Sequence, residues 1–86
     1  MRSFVIRTTY LRPTANRGAR VRAEVLGAPG FSSASVAYDH AFDLEGNSRL
    51  AISAFLRKNG LAWTVGEHPA GVSGRGLAWV ASETTA

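Results

Sequence analysis

The 86-residue sequence has no cysteine, a single lysine, and no acidic residue before Glu24. Without a thiol, the chain can form no disulfide, no thiolate zinc site and no cysteine nucleophile, and the expectation is a reducing, cytoplasmic setting. No apolar run approaches the length of a bilayer span, so no membrane partner is expected. The opening MRSFVIRTTYLRP lacks the continuous apolar stretch of a secretory leader. A chain of this length supports one domain with one modest core, here taken as residues 1–86, and leaves no room for a cofactor-binding fold. No cofactor is expected.

The missing acids at the start make the charge lopsided. Residues 1–22 carry six arginines and no acid, whereas residues 23–86 carry four bases and six acids, so the net charge of +4 conceals a strongly positive first quarter. The segment RPTANRGARVR alone holds Arg12, Arg17, Arg20 and Arg22. Arginine suits planar, bidentate recognition of phosphate or carboxylate, although a GC-rich genome yields the same preference over lysine with no functional cause.

Alternation identifies the strands. Phe4, Ile6, Thr8 and Tyr10 fall on one face of a first strand over residues 3–11, which Pro13 closes. Ala19, Val21, Ala23 and Val25 then alternate with Arg20, Arg22 and Glu24, the pattern of a half-buried antiparallel strand with a charged outer face. The linker of residues 14–18 reads as a hairpin loop in which Gly18, and also Asn16, is suited to positive φ. Residues 33–39 form a third strand with Ala34, Val36 and Tyr38 on one face, giving a three-stranded meander.

The period then changes from two to that of a helix. Leu44, Ala51, Ile52, Phe55 and Leu56 share one helical stripe over residues 44–59, with Asp43 as N-cap (Asn47 being the alternative), Glu45 in the first turn, Arg57 and Lys58 in the last, and Gly60 at the left-handed C-terminal position. Residues 61–65 and 77–81 read as two more strands. Between them, the glycine-rich residues 66–76 read as an exposed, mobile loop without regular structure, and the polar tail of residues 82–86 as frayed. The fold expected is therefore α+β: an antiparallel sheet in the order β-β-β-α-β-β with one helix on one face. Ile52 and Phe55 should pack against Ile6, Val21, Val36, Trp63 and Trp79.

Candidate chemistry is sparse. On this strand assignment Arg7, Arg12, Asn16, Arg17, Arg20 and Arg22 converge on a hairpin ridge, a surface able to neutralise phosphates or to dock on an acidic partner; the competing reading is the ordinary polar outer face of a sheet. No set of exposed aromatics accompanies the ridge, which disfavours base stacking. YDHAFD, residues 38–43, gathers Tyr38, Asp39, His40 and Asp43, and His68 and Glu67 lie in the glycine-rich loop. The histidines fit no metal-ligand spacing, and the acids have a structural use in capping the helix. A small metal-independent ribonuclease would need the arginines to clamp phosphate while His40, His68 or Glu67 exchanged protons, but no spacing ties those groups to the ridge. VSGRG, residues 72–76, is not a nucleophile elbow. Trp63 and Trp79 read as core rather than as a ligand platform. No metal site and no enzymatic activity are expected.

Taken together, TANRGAR (residues 14–20), VAYDHAF (36–42), NSRLA (47–51) and AFLRKNG (54–60), followed by Trp63, resemble small accessory proteins of phages and bacterial mobile elements. That resemblance implies no active site. It implies instead a phage-type accessory role, such as that of the anti-CRISPR inhibitors, which bind and block a host defence protein or ribonucleoprotein complex. Direct binding of DNA or RNA, and a homodimer whose ridge pairs with its own acids, are the other partner arrangements the residues allow.

Overall fold

The computed structural model describes residues 3–28, 30–73 and 76–83. Its elements are β1 (Ser3–Leu11), β2 (Arg20–Leu26), β3 (Ala34–Ala37), α1 (Leu44–Asn59), β4 (Trp63–Val65), β5 (Gly71–Ser73) and β6 (Gly76–Glu83). All strand pairs are antiparallel, in the order β3-β2-β1-β6-β4, with β5 paired to β6 as well. The protein is thus the expected α+β fold, one helix on a curled antiparallel sheet.

The alternation of β1 and β2 sets which face is covered. Ile6, Val21 and Ala23 are fully buried, as are Trp79 and Ala81 from β6, and α1 lays Ala51, Ile52 and Phe55 across them. Val36 and Trp63 pack against the same cluster, so the helix contacts expected from the sequence are present. Trp63 stacks on Phe4 with centroids 4.3 Å apart, and Phe31 meets both rings edge-on. Trp79 Nε1 donates to Thr8 Oγ1 at 3.0 Å, which satisfies the indole inside the core.

The helix begins and ends where capping chemistry places it. Asp43 Oδ1 accepts from Gly46 N at 2.8 Å, and Gly60 closes the last turn at φ 65°. Asn47, the alternative cap, has a different role. It is fully buried, its Oδ1 accepting from Asp39 N at 2.7 Å and its Nδ2 donating to the carbonyls of Asp39, Phe42 and Asp43. One amide side chain thereby fastens the β3–α1 connection to the helix. Asn47→Ala strips the junction of all these bonds and is expected to cost about 2–3 kcal/mol, read as a lower urea midpoint at unchanged slope; a loss below about 0.5 kcal/mol would show that water replaces the amide.

Four expectations are corrected. Residues 66–76 are not wholly irregular, because Gly71–Ser73 forms β5 against β6, with Gly71 opposite Ala78 and Ser73 opposite Gly76; positions 74 and 75 lie outside the described residues. The third strand is confined to Ala34–Ala37, since from Asp39 onward the backbone bonds to Asn47 instead of to a strand. Neither Gly18 nor Asn16 takes positive φ; the connection from Leu11 to Arg20 is long enough to turn without a left-handed residue, and Thr14 N donates to Arg17 O within it. Ser82 and Glu83, placed in the tail, belong to β6, and positions 84–86 lie outside the described residues.

Candidate functional site

With α1 on one face, the other face of the sheet is left bare, and the register says what lies on it. Val5 is opposite Leu26 on one side and Val80 on the other, Arg7 is opposite Glu24 and Ala78, Thr9 opposite Arg22, and Leu11 opposite Arg20. Because paired residues share a face, the bare side carries an apolar row at one end and an arginine pair at the other. Val5, Leu26 and Val80 are 40%, 39% and 47% exposed, a contiguous apolar strip and not three scattered residues.

The six ridge residues divide into three groups. Arg7 lies on the bare face as expected, but Glu24 takes it: Arg7 Nη2 and Nε donate to Glu24 Oε1 at 2.5 and 3.1 Å. It does not join the free guanidinium groups. Arg20 and Arg22 are half-buried, two positions apart on β2, or roughly 7 Å. Their Nε atoms are shielded from solvent and without a hydrogen-bond partner. Arg12, Asn16 and Arg17 are exposed in the connecting loop. Among the described residues no acid lies within ion-pair distance of Arg12, Arg17, Arg20 or Arg22.

The aromatic residues lie elsewhere. Phe4, Tyr10, Trp63 and Trp79 occupy helix-side register positions; Phe31, Tyr38 and Phe55 pack into or against the core, and Phe42 precedes α1 beside Gly46. None stands at a bare-face position. A base-stacking surface needs aromatic faces presented to solvent on the sheet, and this sheet presents aliphatic and guanidinium groups.

The histidines make their contacts with helix-side groups and not with the arginine pair. His40 packs on Tyr38 with centroids 5.2 Å apart, and His68 Nδ1 lies 3.5 Å from Glu45 Oε1 at the start of α1. Asp39 Oδ1 accepts from Ala41 N, a local turn bond. Of the structural uses expected of YDHAFD, the capping of α1 by Asp43 is present. Among the described residues no group of three or more potential metal ligands is assembled, and no helix is long and apolar enough to cross a membrane.

No family model, no curated protein and no solved structure matches this chain.

The apolar strip and the pairing of Glu24 with Arg7 escaped sequence reasoning. A hairpin centred between Ala15 and Asn16 pairs residue 7 with 24 and 5 with 26, so the hairpin's midpoint was the signal that placed both. Val80 offered no such signal, because its partner strand lies most of the chain away.

Proposed function

We propose that the protein is a non-enzymatic binding module that docks by its bare sheet face and arginine hairpin on an acidic, partly apolar surface of another protein. The observation that carries this reading is the pairing, on one uncovered face, of the Val5–Leu26–Val80 strip with the unpartnered Arg20 and Arg22. Burying the strip supplies the non-directional attraction, and a carboxylate is the acceptor that gives the arginines their strongest hydrogen bonds. The absence of aromatics from that face favours a protein over a nucleic-acid strand. The resemblance of residues 14–63 to accessory proteins of phages and mobile elements supports a host protein or ribonucleoprotein as the target and blockade as the outcome.

A direct test titrates the labelled protein with an acidic, leucine-containing peptide and, separately, with single- and double-stranded DNA and RNA at low and moderate salt. The peptide is expected to bind and the nucleic acids to bind weakly. Replacing Arg17, Arg20 and Arg22 by alanine is expected to lower peptide affinity at least about tenfold, or about 1.4 kcal/mol, with the melting temperature shifted by only a few degrees. Tight nucleic-acid binding that falls by about one log unit per log salt for each phosphate neutralised would replace the protein reading with a phosphate-binding one. Shortened RNA after incubation would overturn the non-enzymatic assignment.

A further inference from the structure

A second concave surface lies on the helix side, away from the bare face. Arg49, Ile52, Ser53 and Leu56 form one wall, on the i, i+3, i+4, i+7 stripe of α1; Trp63, Val65 and Gly66 form the other, and Trp79 lies at the base. The cleft encloses about 200 Å³. That is below the roughly 300–1,000 Å³ of pockets that hold drug-sized ligands, so it suits a fragment-sized molecule.

Ile52, Leu56, Val65 and the tryptophans supply apolar walls, and among the described residues Arg49 is the ionisable group lining the cleft. The Arg49 guanidinium carbon sits 5.3 Å from the centroid of the Trp79 ring, which fixes the cation at one end of the cleft without neutralising it. No acid lies within ion-pair distance of Arg49 among the described residues. From Arg49 to Leu56 the helix wall runs about 10 Å, so a ligand bridging the two ends needs a short spacer between its charged and apolar parts.

The geometry points to a binding site for a small aromatic carboxylate, with its carboxylate on Arg49 and its ring between Leu56, Val65 and Trp63. The guanidinium fork matches a carboxylate in bidentate fashion, and the half-exposed face of Trp63 offers the ring a stacking partner. A neutral analogue would fill the same space and leave Arg49 without its anion. An anion without a ring would leave the apolar wall wet.

Both tryptophans of the chain line this cleft, so the site carries its own reporter. The probe is 3-phenylpropanoate, followed by tryptophan emission and by the backbone and indole N–H signals in a nitrogen-15 NMR titration. The expected result is a saturable change in the Trp63 and Trp79 signals and at Arg49, Ser53 and Val65. Binding should weaken about tenfold for 3-phenylpropan-1-ol and for propanoate, the loss of one charge-assisted contact in the first case and of the ring in the second. Arg49→Gln, at an exposed position, should lower the carboxylate's affinity to that of the alcohol without moving the melting temperature by more than a few degrees. Ser53→Phe, which fills the cleft from an exposed helix position, should abolish binding with Arg49 intact. Equal affinity for acid and alcohol, unchanged affinity in Arg49→Gln, no saturable change, or shifts confined to Arg20 and Arg22 would each overturn the assignment.

Discussion

Trp79→Ala is expected to remove about 3–5 kcal/mol, the range for emptying a buried aromatic site, which is most of what holds together a domain of this size. Trp79 is the largest fully buried side chain and lies under α1 beside Ile6 and Phe55. Its loss leaves a cavity that the β1–β6 pairing cannot collapse, since Ile6 is fixed opposite it by the ladder. It also strands Thr8 Oγ1, which accepts from the indole while donating to Leu77 O at 3.3 Å. Trp79→Phe keeps most of the volume and gives up that hydrogen bond, so a smaller loss, about 1–2 kcal/mol, is expected. Urea unfolding followed by circular dichroism measures both. A Trp79→Ala protein within 1 kcal/mol of the parent would mean that the ring is not the core of this fold.

Gly76→Ala is expected to cost about 3 kcal/mol or more, although it adds one methyl group, because the clash is with backbone and no rotamer change relieves it. A Cβ at Gly76 would fall on the carbonyl of Thr8, inside contact distance of Thr8 and the Cα of Thr9. β1 and β6 approach so closely there that only glycine fits. Gly71→Ala, in the strand opposite, meets no atom within 4 Å and serves as the control, with a change of about 0.5 kcal/mol or less. Equal effects of the two substitutions would refute the close approach.

Local chemistry made part of this fold legible and long-range pairing hid the rest. α1 was readable from end to end because Asp43, Glu45, Arg57, Lys58 and Gly60 punctuate a helical period, each acting within a turn of itself. β1 and β2 were readable because alternation over seven or more residues distinguishes a covered face from a bare one. β5 was not. Val72 favours a strand but stands alone between Gly71 and Ser73 in a glycine-rich run, and what defines the strand is its ladder to β6. The burial of Asn47 and Ser48 was equally hidden, since a polar residue on a helix announces exposure unless its partners are known. At the candidate face, the arginines were visible as a cluster. The division between Arg7, paired with Glu24, and Arg20 and Arg22, with no acid within ion-pair distance among the described residues, needed the register.

The two borders of the sheet bear on how the protein meets anything else. Along the outer side of β6, β4 and β5 contribute only three residues each, and the chain between them swings out at Glu67 and His68 before Ala70 N returns to Ala78 O. At the opposite border β3 is four residues long, and just before it Asn59 holds both the N–H and the carbonyl of Ser32 while Lys58 holds Ser33 O. Short, interrupted and side-chain-occupied borders are what keep soluble sheets from templating another strand. This molecule is therefore poorly suited to growing its sheet by adding a partner's strand, either into fibrils or into a complex.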